Sequence, residues 1–169
     1  MSHQPSPIEL QDAFFDRIKS IYKISKIYYP GCGKDRILNH YFGSGIVYLE
    51  NNLNDFRRDL LTRASRYSLG YTHEFLIGDY GTNLIKPEVF DAVFLNDSDA
   101  DRNEMVAILS TLKYGGIVIN NDVGCKFNLN IEELLHEFPY LVRPTPTLYL
   151  YIKHKYFSRN YEVLEKIRK

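Results

Sequence analysis

The sequence predicts a doubly wound α/β domain with a mostly parallel sheet, and three observations support this prediction. Short apolar segments, often β-branched, recur along the chain and are too short for helices. Segments with apolar residues at helical spacing separate them, so predicted strands and helices alternate. Continuous apolar strands in such an alternation are typical of a parallel sheet covered by helices on both faces. The predicted buried strands are residues 26–29, 46–49, 74–77, 91–95 and 116–120.

The predicted helices have local signals of their own. Ser6, Pro7 and Glu9 form the pattern of a capping box with proline at the first helical position. Apolar residues then recur at helical spacing to about Tyr22, which predicts an N-terminal helix. Similar spacing, with a cap in the last case, predicts further helices around residues 37–42, 53–64, 105–112 and 130–138.

The C-terminal part departs from this alternation. In residues 147–157, Leu148, Leu150 and Ile152 alternate with more polar side chains. Such alternation predicts a strand with one wetter face, antiparallel to its neighbours and near a sheet edge. A last short helix is predicted within residues 158–169. Because no repeat or linker is visible, we expect a single domain over residues 1–169, with the N-terminal helix in 1–22 and the core in 24–157.

The composition argues against several classes of protein. With 44% hydrophobic and 25% charged residues, the chain is neither disordered nor fibrous in character. Its 21 basic and 21 acidic residues leave no excess positive charge for a phosphate backbone, so nucleic-acid binding is not supported. Its two cysteines form no Cys-x-x-Cys pair and no disulfide framework. Because no membrane segment or export signal is visible, we expect a cytoplasmic protein without membrane contact, and its oligomeric state stays open.

A glycine turn follows the first predicted strand, at Gly31 and Gly33. Glycine tolerates positive φ and carries no side chain, so a ligand can approach the backbone there. The carboxyl end of a strand is also where open α/β sheets bind ligands. A bare turn without a ligand is an equally good interpretation of this segment alone.

Glu50 ends the second predicted strand, 19 residues after Gly31. An acid about 20 residues beyond a glycine turn accepts hydrogen bonds from a ribose in dinucleotide sites, so the spacing indicates a nucleoside. A solvated acid at a strand end is the alternative. A nicotinamide dinucleotide is disfavoured, because Arg36 stands where the third glycine of that motif is needed for close helix packing.

The order of these segments resembles that of the class I S-adenosylmethionine-dependent methyltransferases. Tyr28 to Gly33 resembles the first motif, in the variant with proline before the glycines. Val47 to Glu50 resembles the second strand with its acid, and Phe75 to Asp79 resembles the third. Asp91 to Asp97 matches the fourth strand, and Leu112 to Asn120 matches the Leu-Lys-Pro-Gly-Gly turn and fifth strand. The resemblance implies a Rossmann-like fold with a seven-stranded sheet, S-adenosylmethionine as cofactor and methyl transfer as the reaction.

The resemblance also implies roles for individual residues. Glu50 is expected to hold the ribose hydroxyls and Asp79 to face the adenine amino group, although a turn aspartate is an equal alternative for Asp79. Asp35 stands where many members have a third glycine, and its carboxylate is placed to crowd or repel the methionine carboxylate. The residues expected to bind the cofactor are Pro30, Gly31, Cys32, Gly33, Glu50, Asp79 and Asn96.

The sequence does not identify the methyl acceptor. In this family the acceptor lies beyond the fourth strand, where Asp97 is the candidate base or acceptor-orienting group. The alternative is that these acids cap the helix that begins near Asp101. No metal is predicted, because the Asn-Asn-Asp order at 120–122 is the reverse of the Asp-Asn pair in the metal-dependent members. A non-catalytic binding module with the same fold is the competing hypothesis, since no substrate-specific motif is present.

Overall fold

The computed structural model describes residues 6–65, 73–79, 85–96, 100–121, 131–152 and 161–168. Within them the strands are β1 (Ile27–Pro30), β2 (Ile46–Glu50), β3 (Glu74–Ile77), β4 (Phe90–Asn96), β5 (Leu112–Asn121), β6 (Leu141–Val142) and β7 (Tyr161–Lys166). The α-helices are α1 (Pro7–Ile21), α2 (Leu38–Tyr41), α3 (Arg57–Ser65), α4 (Arg102–Ser110), α5 (Ile131–Glu137) and α6 (Pro146–Ile152), and a 3-10 helix spans Leu53–Phe56.

The described strands form one sheet in the order β3-β2-β1-β4-β5-β7-β6. The pairs β1–β2, β1–β4, β2–β3 and β4–β5 are parallel, whereas β7 is antiparallel to both β5 and β6. The predicted doubly wound, mostly parallel seven-stranded sheet is therefore confirmed. Because β1 to β4 run in the same direction, their carboxyl ends share one edge of the sheet.

Helices cover both faces of this sheet. One face packs against α1, α2, α6 and the 3-10 helix, with Phe14, Phe15 and Phe56 in its core. The other face packs against α4 and α5, through side chains such as Met105 and Leu134. Strands β1, β2, β4 and most of β5 are therefore buried from both sides, as their apolar sequences predict. The prediction of a buried strand at 74–77 is wrong in its burial, because β3 lies at the sheet edge and Glu74 and Ile77 are exposed.

The N-terminal helix begins where its capping residues predict. The Ser6 side chain accepts a hydrogen bond from the Glu9 backbone N–H at 3.2 Å, and Pro7 occupies the first helical position, where no backbone N–H is needed. Phe14, Phe15 and Ile18 form the buried face of α1. Among the described residues, no helix is long and apolar enough to cross a bilayer.

Two C-terminal predictions are wrong. Within residues 147–152 the predicted strand is instead part of helix α6 (Pro146–Ile152), because Leu148 and Ile152 also lie four residues apart on one helix face; residues 153–157 lie outside the described residues. Ile152 is buried and Leu148 packs against the core, whereas Leu150 is 71% exposed. The short helix predicted within 158–169 is instead strand β7, which inserts antiparallel between β5 and β6.

Strand β7 carries a buried lysine at its end. Lys166 is 5% exposed, and its Nζ donates to the carbonyl oxygens of Leu109 at 2.9 Å and Leu112 at 2.7 Å. Its ammonium also lies 4.6 Å from the ring centroid of Tyr114. Burial lowers the pKa of Lys166. The lysine thus satisfies one carbonyl in the last turn of α4 and one at the start of β5, and it fixes β7 against both.

Candidate functional site

The glycine turn lies at the carboxyl end of β1 and is tied to β2. Gly31 and Gly33 have φ angles of 65° and 54°, in the left-handed region that favours glycine. The backbone N–H groups of Gly31 and Cys32 donate to the Leu49 carbonyl oxygen at 2.8 Å and 3.3 Å. A Cβ atom built on Gly33 would meet nothing within 4 Å, so the turn has open space on that side.

Glu50 connects the end of β2 to this turn. Its Oε2 accepts a hydrogen bond from the Gly33 backbone N–H at 2.9 Å, and its Oε1 accepts one from the Asn51 backbone N–H at 3.0 Å. Each carboxylate oxygen has about two acceptor positions, so each keeps capacity for a further donor. The two backbone N–H groups orient the partly buried carboxylate, which leaves it able to accept from two neighbouring hydroxyls.

Asp79 lies on the β3 side of Glu50. The Gly78 backbone N–H donates to the Glu50 carbonyl oxygen at 3.1 Å, which holds the segment after β3 against the end of β2. The exposed Asp79 carboxylate is 3.5 Å from the Asn51 side-chain nitrogen. Asp79 and Glu50 are therefore neighbours at the same edge, each in contact with Asn51.

Asn96 ends β4 and belongs to a hydrogen-bond network with Tyr29 and Asp35, the residues that flank the glycine turn in sequence. Its Nδ2 donates to the Tyr29 hydroxyl at 3.0 Å and to Asp35 Oδ2 at 2.8 Å, and its Oδ1 accepts from Asn121 Nδ2 at 2.7 Å. Asp35 also accepts from the Tyr29 hydroxyl at 2.5 Å and from the Ile37 backbone N–H at 3.0 Å. Burial, together with the Asp35 charge, raises the pKa of Tyr29, so its hydroxyl is a proton donor.

Arg36 holds the other side of the turn. Its Nε and one terminal nitrogen form a bidentate pair with Asp59, each at 2.8 Å. Its other hydrogen bonds go to the carbonyl oxygens of Gly33 (2.8 Å), Asp35 (2.6 Å) and Asp55 (2.9 Å). Five hydrogen bonds match the five N–H groups of a guanidinium. Arg36 thus fills the space where close helix packing is required in the dinucleotide motif.

Aromatic rings pack around the Arg36 guanidinium, and a buried thiol, that of Cys32, lies within the turn itself. The Arg36 guanidinium lies 4.8 Å from the Tyr48 ring centroid and 5.3 Å from that of Phe56. Cys32 is buried, and desolvation raises the pKa of its thiol to about 12, although the Arg36 charge lowers it in part. Such a thiol is protonated at neutral pH, so Cys32 is a packing residue beneath the turn rather than a nucleophile.

The predicted base, Asp97, lies outside the described residues, as does Asp122 of the Asn-Asn-Asp segment. Asp101, its neighbour in the acidic stretch, caps α4: its carboxylate accepts from the Glu104 N–H at 2.8 Å, and Glu104 reciprocates. Within the described ranges, no group of three or more His, Cys, Asp or Glu side chains is placed to hold a metal ion.

A cavity of about 250 Å³ lies at the opposite edge of the sheet. It is lined at the amino ends of β2, β3 and β4 by Ile46, Glu74 and Phe90, among others. In open α/β sheets the ligand crevice lies beyond the carboxyl ends of the strands. The site is therefore assigned to the edge with the glycine turn and Glu50, not to this cavity.

Sequence reasoning singled out Asp35, Arg36 and Asn96, but it missed their partners Tyr29, Asn121 and Asp59 and so the networks that support the turn. Tyr29, Asp35, Asn96 and Asn121 form one network, and Arg36 forms another with Asp59. The sequence signal that could have revealed the first network is the pair Asn96 and Asn121, which follow the apolar parts of the neighbouring strands β4 and β5. Side chains at the ends of adjacent parallel strands meet at one edge of the sheet.

Comparison with known proteins supports the fold. No protein-family model matches the sequence, and no curated protein is similar to it. The solved structure of the cyclase SpnF has a TM-score of 0.65 at 14% identity, over 95% of this chain and 80% of that one. Geranyl diphosphate methyltransferase in complex with S-adenosylmethionine gives 0.60 at 13%, over 95% and 86%.

A third structure covers the chain less completely. The S-adenosylmethionine-dependent methyltransferase from Thiobacillus denitrificans, in complex with S-adenosyl-L-homocysteine, has a TM-score of 0.51 at 16% identity, over 72% of this chain and 50% of that one. The chain likewise spans half or less of two other solved structures. At such identities the likeness establishes the fold: this chain has the Rossmann-like methyltransferase fold. Since the neighbours include a cyclase by name, the chemistry has to be argued from the site.

Proposed function

We propose that the protein binds S-adenosylmethionine at the edge formed by the glycine turn, Glu50 and Asp79, and transfers its methyl group to an acceptor. The observation that carries the proposal is the Glu50 carboxylate. It is fixed by the N–H groups of Gly33 and Asn51 and keeps acceptor capacity on both oxygens. A ribose diol supplies two neighbouring O–H donors, which is the group that such a carboxylate fits.

The neighbouring residues give the ligand a direction. Asp79, on the β3 side of Glu50, is proposed to accept from the adenine amino group. Gly33 leaves open space above the turn, where a side chain would prevent the approach of the ligand's sulfur-bearing chain. Pro30, Gly31 and Cys32 are proposed to line the same approach through their backbone. Asn96 is proposed to act indirectly, because its amide holds Asp35 and Tyr29 in position.

The proposed reaction requires alignment more than proton transfer. S-adenosylmethionine supplies a sulfonium-bound methyl group, which an acceptor nucleophile displaces in line as the carbon–sulfur bond breaks and its electron pair stays on sulfur. Where the acceptor has a proton to lose, Asp97 is proposed to take it or to orient the acceptor. The structural neighbours with bound S-adenosylmethionine and S-adenosylhomocysteine support the choice of cofactor.

Calorimetric titration with S-adenosylhomocysteine tests this proposal. The wild type is expected to bind it saturably, and Glu50→Ala is expected to bind at least about tenfold more weakly, because hydrogen bonds to a charged group contribute about 1.5 to 3 kcal/mol each. Glu74→Ala is the matched control, since Glu74 is an exposed acid at the amino end of β3. Equal affinity of wild type and Glu50→Ala would refute the ribose assignment, and saturable NADH binding in its place would favour the dinucleotide.

The non-catalytic module is the second candidate, and Asp35 favours it. Its carboxylate stands at the place of a third glycine, where we expected it to repel the methionine carboxylate, and three hydrogen bonds hold it there. On this hypothesis the edge binds no S-adenosylhomocysteine, and the fold serves as a surface for a partner. Absence of heat with both S-adenosylhomocysteine and NADH, at concentrations far above the micromolar range, would support it.

A further inference from the structure

Asp35 lies where the 5′ substituent of a nucleoside bound at Glu50 would end. The strand order β3-β2-β1-β4 places Asp79, Glu50 and the glycine turn in sequence along the carboxyl edge. A ribose on Glu50 with its base toward Asp79 directs its 5′ substituent across β1 toward β4. From the end of β2 to that of β4 is two strand spacings, about 10 Å, which a short chain through sulfur can span. Asp35 is hydrogen-bonded to Asn96 at the end of β4, so it lies at this point.

Among the described residues, the Asp35 carboxylate has three hydrogen-bond donors and no cationic partner. The donors are the Tyr29 hydroxyl, the Asn96 amide and the Ile37 backbone N–H, and all are neutral. None of the ion pairs among the described residues includes Asp35. The adjacent Arg36 directs its N–H groups to Asp59 and to backbone carbonyls. A fixed, partly buried negative charge is thus left at the edge of the site.

Such a charge discriminates between ligand groups. It attracts an ammonium and repels a carboxylate, and both effects are stronger in a partly desolvated crevice than in water. The network fixes the orientation of the carboxylate, so it cannot turn away from an unfavourable ligand without breaking the Tyr29 and Asn96 hydrogen bonds. Oδ1 accepts only from Ile37 among the described contacts, which leaves it able to accept from an ammonium.

We propose that Asp35 selects nucleosides whose 5′ sulfur-linked side chain, a sulfonium in the methyl donor and a thioether in the product, ends in an amine without a carboxylate. The selected class is that of decarboxylated S-adenosyl compounds, which carry the ammonium and lack the acid. This proposal rests on the proposed nucleoside site at Glu50 and specifies which donor that site accepts. S-adenosylmethionine and S-adenosylhomocysteine bind there more weakly, because their carboxylate faces that of Asp35.

The test compares three ligands by calorimetry on the full chain. Adenosine carries neither group, S-adenosylhomocysteine carries both, and 5′-deoxy-5′-(3-aminopropylthio)adenosine carries the amine alone. The wild type is expected to bind the aminopropyl compound at least about tenfold more tightly than S-adenosylhomocysteine, because both ligands carry the ammonium but only S-adenosylhomocysteine carries a carboxylate that the Asp35 charge repels. In Asp35→Asn the affinities for the aminopropyl compound and for S-adenosylhomocysteine are expected to differ by no more than about threefold, because the neutral amide no longer repels the carboxylate. Adenosine affinity is expected to stay the same, which a general loss of structure would not permit.

The outcomes separate the two proposals. An unchanged ratio in Asp35→Asn, with adenosine still bound, would overturn the role of Asp35 and leave the nucleoside site standing. If no ligand binds the wild type, the nucleoside site itself fails. Asp16→Asn, a change of the same kind on the exposed side of α1, is expected to leave the ratio as in the wild type. If Asp35→Asn does not fold, the affinities of the wild type alone test the proposal. Tighter binding of S-adenosylhomocysteine than of the aminopropyl compound would then overturn it.

Discussion

Removal of the Arg36 side chain is expected to destabilise the protein strongly. In Arg36→Met the Asp59 carboxylate loses both of its 2.8 Å partners, while the Arg36 and Asp59 side chains are only 16% and 14% exposed. Breaking a buried pair by removing one partner costs about 3 to 5 kcal/mol, because the remaining charge is uncompensated. Since some solvent reaches this pair, we expect about 3 kcal/mol. The lost contact with the Tyr48 ring acts in the same direction.

Equilibrium urea denaturation measures this loss, with Arg102→Met as the matched control. Arg102 and Glu137 also form a 2.8 Å pair, but the Arg102 side chain is 64% exposed, so its removal is expected to cost about 0 to 1 kcal/mol. In Arg36→Met/Asp59→Leu, removal of the orphaned carboxylate is expected to restore part of the stability. If Arg36→Met costs no more than Arg102→Met, the assignment of Arg36 as the support of the turn is refuted.

Three further predictions concern single side chains. Lys166→Met leaves two buried carbonyls without their donor and is expected to cost about 1 to 3 kcal/mol in urea denaturation; a change below about 0.5 kcal/mol would contradict the account. Burial lowers the pKa of His73, so as the pH falls below about 6.5 the unfolded chain takes up a proton first and stability declines; His73→Asn is expected to flatten this decline, and an unchanged slope of stability against pH in that variant would argue against it. With its pKa raised by burial, Cys32 in a Cys125→Ser background is expected to react with a thiol reagent at pH 8 only upon unfolding, and reaction at the rate of a free thiol would disprove its burial.

The sequence is sufficient to predict the central strands, because a strand buried on both faces is a continuous apolar segment in the local sequence. Residues 46–49 and 92–95 are continuous apolar segments, and each lies within a strand between two helical layers. Strand β5 begins earlier than predicted, at Leu112, because its pairing with β4 shifts register between Phe90 and Ala92. A bulge of this kind depends on the partner strand, which local patterns do not report.

The C-terminal errors have a different physical origin. Leu148 and Ile152 satisfy both an alternating pattern and the four-residue spacing of a helix, so the pattern alone does not distinguish the two. The conformation of β7 depends on contacts that are distant in sequence, since Tyr161 pairs with Asn121, which lies 40 residues earlier in the chain. Propensity is a weak guide when a distant strand supplies the hydrogen bonds.

The residues proposed to contact the ligand were predictable from the sequence, but the hydrogen-bond networks that hold the glycine turn in place were not. Glycines and an acid at the spacing of a nucleoside site placed Gly31, Gly33 and Glu50 at one edge, and the structure brings Gly33 and Glu50 into contact. Nothing in the spacing indicated that Asp35 and Arg36 would turn to opposite sides of the same turn. Their orientations follow from partners on β4 and α3, so they depend on the assembled fold.

A crystal structure of the protein with S-adenosylhomocysteine tests the assignment of the nucleoside site. We expect the adenosine at the carboxyl edge of β1, β2 and β3, with both ribose hydroxyls within about 2.5 to 3.0 Å of the Glu50 carboxylate. The adenine is predicted on the Asp79 side and the amino-acid chain toward Asp35. Adenosine density in the cavity lined by Ile46 and Phe90, at the opposite edge, would contradict the assignment of the site.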